Sequence, residues 1–106
     1  MEIYFRRKFK ATHRLSLPYN SPCNRAHSHD WTIEVWIQGK PTNGIVFDYL
    51  KIKKIIDKYS RTSLNRTIAN PTSENFALRL KQELKKKGAN ARVRVWEGKN
   101  CYAETD

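Results

Sequence analysis

Hydrophobic residues alternate with polar ones along some stretches of this chain and recur at helical spacing along others, and their order predicts a small mixed fold. From residue 3 to residue 13, Ile3, Phe5, Arg7, Phe9, Ala11 and His13 fall on one side, with Tyr4, Arg6, Lys8, Lys10 and Thr12 on the other. A period of two is that of a strand, here with one charged face. Residues 14–26 contain Pro18, Asn20, Ser21, Pro22 and Asn24, which is loop chemistry. Trp31, Ile33, Val35 and Ile37 then alternate with Thr32, Glu34, Trp36 and Gln38 in a second strand, which Gly39-Lys40-Pro41-Thr42-Asn43-Gly44 ends.

A short apolar run, Ile45-Val46-Phe47, leads to Asp48, a helix N-cap by residue type. Beyond it Ile52, Ile55, Ile56 and Tyr59 share one helical face, and Lys51, Lys53, Lys54 and Lys58 occupy the wet side. A second helix opens after Pro71-Thr72-Ser73, carries Phe76, Ala77, Leu80 and Leu84 on one face, and runs out in Lys85-Lys86-Lys87-Gly88. Cations in the last turn followed by glycine are a C-terminal signal. Val93 and Val95 alternate with Arg92, Arg94 and Trp96 in a third strand, and Tyr102 to Thr105 can form a fourth. The order ββααββ predicts an α+β fold with two helices on one face of a four-stranded antiparallel sheet. Tyr4, Trp36 and Trp96 lie on the other face, so self-association is expected to cover it.

Composition narrows the class. A chain of 106 residues without repeat, linker or low-complexity tract reads as one domain, residues 1–106. Three Trp, five Tyr and four Phe within a hydrophobic content of 39% exclude a disordered chain. No apolar run approaches the ~18 residues of a membrane span, and Met1-Glu2-Ile3-Tyr4-Phe5-Arg6-Arg7-Lys8 is no signal peptide, so a cytoplasmic protein without a membrane partner is expected. Cys23 and Cys101 do not make a disulfide framework. The net charge of +11 suits nucleic acid, an anionic membrane or a polyanionic small molecule, or is simply a solvated basic surface. Trp31, Trp36 and Trp96 would be the stacking platforms of a nucleic-acid module, the weaker of these readings.

All three histidines fall at adjoining strand ends. His27 and His29 are i and i+2 at the entrance to the second strand, so in extended backbone both imidazoles point the same way. His13 ends the first strand. Three neutral imidazoles with an open position form a common catalytic zinc arrangement. Cys23 precedes His27 by four residues, so it reads equally as a ligand in Cys-x3-His-x-His, as a thiol beside the metal, or as an ordinary cysteine.

The stretch Phe9-Lys10-Ala11-Thr12-His13, the run Cys23-Asn24-Arg25-Ala26-His27-Ser28-His29, the Gly44-Ile45-Val46-Phe47-Asp48-Tyr49 turn, Asn70-Pro71-Thr72-Ser73-Glu74-Asn75 and Val95-Trp96-Glu97 together resemble the 6-pyruvoyl-tetrahydropterin synthase family, which includes the 6-carboxy-tetrahydropterin synthases. The resemblance implies a T-fold subunit assembled through a barrel into trimers or hexamers. It also implies zinc on His13, His27 and His29, Cys23 as catalytic residue, and Glu97 with Thr72 on the pterin substrate, 7,8-dihydroneopterin triphosphate, from which triphosphate is removed. Arg14, Arg25, Arg61 and Arg66 are candidates for the phosphates. The chain departs from the family where Ser60 and Arg61 replace an Asp-His pair that assists the cysteine, where Ser28 replaces a glycine, and where Gly98 replaces a threonine. If all three histidines bind metal, no imidazole remains as acid or base, and a guanidinium cannot take that role. A zinc- and pterin-binding homologue without this activity is therefore the alternative to a lyase.

Overall fold

The alternation at the start of the chain becomes one long hairpin. In the computed structural model, which describes residues 1–106, strand β1 (Glu2–His13) pairs antiparallel with strand β2 (His27–Gln38), from Glu2↔Gln38 to His13↔His27. β2 thus starts before Trp31, where its apolar alternation begins. His27, Ser28, His29 and Asp30 show no hydrophobic period, and pairing with β1 makes them strand.

Helix α1 (Tyr49–Asp57) is capped by the Asp48 carboxylate, which accepts from the Leu50 N–H at 2.9 Å. Helix α2 (Ser73–Lys86) is capped by the Thr72 hydroxyl, which accepts from the Asn75 N–H at 3.0 Å. Gly88, at φ +91°, turns the chain out of it. Strands β3 (Asn90–Glu97) and β4 (Cys101–Glu104) complete an antiparallel sheet in the order β1-β2-β3-β4, the predicted ββααββ.

The core lies between the sheet and the helices. Trp31, Ile33, Val35 and Ile37 meet Val93 and Val95 of β3 and Ile52, Ile56, Phe76, Leu80 and Leu84 of the helices, all essentially solvent-free. Trp31 is central, with its ring 5.6 Å from Phe76 and its indole N–H donating to the Ala11 carbonyl at 3.1 Å. Its burial removes it from any stacking surface. Tyr59 lies just beyond α1, yet stays in the core with its hydroxyl on Glu83.

Asparagines hold the β1–β2 loop. Asn65 accepts from the Arg14 N–H and donates to the Arg14 carbonyl, Asn70 accepts from Ser16, and Asn24 accepts from Leu17. Asn65 and Asn70 tie this loop to the segment between the helices, which also pairs with β1 through Thr12 N–H on the Thr62 carbonyl.

On the opposite face, Glu34 accepts from Tyr4 and from the Trp96 indole. Burial alone would raise the Glu34 pKa, but these hydrogen bonds and the Arg94 charge hold it below the ordinary value. The Arg92 guanidinium lies 4.1 Å over Trp36, and that of Arg94 lies 4.4 Å over Tyr102. The radius of gyration, 14.4 Å, exceeds the ~13 Å of a compact chain of this length because the hairpin is long. No helix is long and apolar enough to cross a membrane.

Candidate metal centre

The strand register carries the histidines to one end of the sheet, on the side facing the helices. His13 is paired directly with His27, Ala11 with His29, and Trp31 with Glu97. Side chains at alternate positions of neighbouring strands share a face, so four donor residues converge. One donor atom each from His13, His27, His29 and Glu97 lies within 4.8 Å of all the others. The three rings are mutually steep, with centroids 4.5, 5.1 and 4.7 Å apart. Trp31 forms the floor, its ring 5.0 Å from that of His13 and 5.7 Å from that of His29.

Two backbone carbonyls fix how the imidazoles face. Nδ1 of His13 is 2.7 Å from the Pro71 carbonyl, and Nδ1 of His27 is 2.6 Å from the Arg25 carbonyl. A carbonyl only accepts, so each Nδ1 carries the proton and each Nε2 presents a lone pair. That is the arrangement by which outer hydrogen bonds orient metal-binding histidines. Nε2 of His13 and Nε2 of His29 are buried without a hydrogen-bond partner. The latter lies 2.9 Å from Glu97 Oε1, yet the two are not aligned as donor and acceptor. Desolvation pushes the His13 pKa below its ordinary value, against the Pro71 bond, which keeps the ring neutral and able to ligate. Nitrogen and oxygen donors in this number suit zinc, and the buried, unpartnered Nε2 atoms are the fit that such an ion requires.

Other residues picked out by the sequence lie outside this cluster. Cys23 is half-buried in a one-turn 3-10 helix (Pro22–Asn24), is a free thiol, and is not among the converging donors. The set Cys-x3-His-x-His is therefore not assembled; its place is taken by His13 and Glu97. Thr72 follows Pro71 and spends a hydroxyl lone pair on capping α2. Arg61 sits at φ +58°, with its N–H on the Lys10 carbonyl. It lines a cleft of about 860 Å³ together with Lys8, Lys10, Ser28, His29 and Lys99. Arg66 and Arg14 line two separate depressions, so these two do not converge with Arg61. The Pro71 and Arg25 carbonyls and the proximity of Glu97 to His29 were not foreseen. Backbone acceptors leave no mark in a sequence, and the register that joins Glu97 to Trp31 appears only in the folded sheet.

The model of the family described as 6-pyruvoyl tetrahydropterin synthase matches residues 2–106. The chain belongs to the 6-pyruvoyl tetrahydropterin synthase family. This is a family of pterin-metabolising enzymes. A family relative in Archaeoglobus fulgidus, provisionally named 6-carboxy-5,6,7,8-tetrahydropterin synthase, is 42% identical over 91% of this chain and 87% of its own length. The dihydroneopterin monophosphate aldolase of Pyrococcus furiosus is 30% identical over 98% of this chain and 96% of its own. The solved 6-pyruvoyl tetrahydropterin synthase of Caenorhabditis elegans superposes with a TM-score of 0.77 at 22% identity, covering 100% of this chain and 94% of that one. At that identity the likeness is one of fold, and the fold is the expected T-fold.

Proposed function

We propose that the protein is a zinc-dependent lyase acting on the side chain of 7,8-dihydroneopterin triphosphate, of the 6-pyruvoyl- or 6-carboxy-tetrahydropterin synthase type. The observation that carries this reading is the convergence of three imidazoles, two of them locked by backbone carbonyls with Nε2 free, against Glu97. His13, His27 and His29 would hold the metal. Bound zinc supplies a Lewis acid that polarises a side-chain oxygen and stabilises charge developing beside it.

The remaining work falls to the chain's own groups. Pro71 and Arg25 hold the His13 and His27 imidazoles in the ligating tautomer, and Trp31 packs beneath His13 and His29. The Glu97 carboxylate can accept two N–H bonds from the amino-pyrimidine edge of a pterin, and Thr72, at the N-cap of α2, is its companion. Cys23 is the proton-transfer residue in this reading, its turn held by the Ser21 side chain, which accepts from the Cys23 N–H. Arg61, Lys8, Lys10 and Lys99 give the adjoining cleft the charge to receive phosphates. The P. furiosus relative's name adds a monophosphate and retro-aldol cleavage to the substrates and reactions worth testing. The open sheet face, with Tyr4 and Tyr102 exposed, supports assembly into a homo-oligomeric barrel, as trimer or hexamer.

A zinc- and pterin-binding homologue without turnover, suggested by Ser60 and Arg61, would keep the same cluster, and it is not favoured because the A. fulgidus and P. furiosus relatives carry enzyme names. The test is incubation of zinc-loaded protein with 7,8-dihydroneopterin triphosphate and, separately, its monophosphate, with products identified by mass spectrometry and Cys23→Ala and His29→Ala alongside. A product that disappears in both variants supports the lyase and names its reaction. Bound pterin that leaves unchanged from the wild-type protein would overturn it.

A further inference from the structure

The position of Glu97 is unexpected for a residue whose only task is to hold substrate. In a chain of net charge +11, its carboxylate pairs with no lysine or arginine. Its nearest side-chain neighbours are His29 Nε2 at 2.9 Å and His13 Nε2 at 3.8 Å, the same two nitrogens that are buried without hydrogen-bond partners. Three donors that face inward and do not bond one another share a point between them. The fourth donor at that point is an oxygen of Glu97.

We infer that Glu97 is the fourth metal ligand of the substrate-free protein and leaves the metal when a pterin arrives. The inference rests on the zinc-pterin reading above. The exchange needs no oxidant or extra proton: one carboxylate oxygen gives up its bond to the metal, and the same carboxylate accepts the N–H groups of the pterin edge. The fourth position opens only when the substrate's ring is already held. The carboxylate sits at the mouth, its side chain 26% exposed, where incoming substrate can reach it. Gly98 follows at φ +72°, a conformation that costs glycine little and turns the chain directly after the ligand. A metal closed in this way stays unreactive toward water and small anions until substrate binds.

Cobalt(II) substituted for zinc reports the coordination through its visible absorption. The probes are azide, acetate and 7,8-dihydroneopterin, used without oxygen, on the wild type, Glu97→Ala and Glu97→Gln. Azide is expected to shift the spectrum of Glu97→Ala at a concentration at least about tenfold lower than in the wild type. Acetate should restore a wild-type-like spectrum to Glu97→Ala, and 7,8-dihydroneopterin should itself shift the wild-type spectrum, as its side-chain oxygen takes the position that Glu97 leaves. Equal azide sensitivity in wild type and both variants would overturn the inference, as would a sulfur-to-cobalt charge-transfer band that vanishes in Cys23→Ala. Calorimetry with the pterin separates the two failures. If no pterin binds, the functional reading falls, while the azide and acetate comparisons still decide whether Glu97 is a ligand.

Discussion

Replacing His29 by alanine separates metal binding from folding, because no hydrogen bond ties this ring to the rest of the chain. His13 is different: it is buried, and its loss also strips the Pro71 carbonyl of its donor. An unpaired buried acceptor costs about 1–3 kcal/mol. For 106 residues the unfolding entropy is about 0.22 kcal/mol/K, so that penalty alone lowers the metal-free melting temperature of His13→Ala by about 5–14 °C. Metal-free His29→Ala should melt within a few degrees of the wild type. Zinc in the wild type, at about a thousandfold above its dissociation constant, adds about 4 kcal/mol, or a rise of roughly 18 °C. If the loss of one imidazole weakens binding about a thousandfold, the same zinc concentration adds only about 0.4 kcal/mol, or roughly 2 °C. Scanning calorimetry of chelated and zinc-saturated samples measures both. An undiminished zinc shift in His29→Ala would refute the argument, because the metal would then be held elsewhere.

Other outcomes follow from the same geometry. Trp31→Ala should cost about 3–5 kcal/mol in urea unfolding, since it empties the core beneath His13 and His29; a loss under 1 kcal/mol would contradict its place in the packing. Glu34 stays ionised in the folded protein at a pH where the unfolded chain binds a proton. Stability should therefore fall as pH drops below the ordinary glutamate value toward the folded one, and Glu34→Gln should flatten that acid limb in a pH series of urea melts. Arg61 holds a left-handed backbone that costs a non-glycine residue about 1–2 kcal/mol, so Arg61→Gly should stabilise by about 0.5–1 kcal/mol net of the glycine's own entropy; destabilisation would show that its side chain holds the segment.

The fold was legible where one face is apolar and the other wet. Ile33, Val35 and Ile37 announce β2, and Ile52, Ile55 and Ile56 announce α1, because burial imposes the period of each element. That signal fails at His27 to Asp30, where two histidines stand in place of apolar residues, and the strand there exists because β1 pairs with it. The histidines could be gathered from their strand-end positions alone. The inward turn of their Nε2 atoms could not, because it depends on the carbonyls of Pro71 and Arg25. Nor could the nearness of Glu97 to His29, which comes from the β2–β3 register. Arg61 takes a left-handed backbone conformation that no spacing rule predicts.

X-ray absorption at the zinc edge of the metal-loaded, substrate-free protein tests the central claim most directly. The account predicts only nitrogen and oxygen neighbours at about 2.0–2.2 Å, with the outer-shell scattering of three imidazoles, and loss of one imidazole in His29→Ala. A sulfur neighbour at about 2.3 Å, or an imidazole count unchanged in that variant, would contradict it.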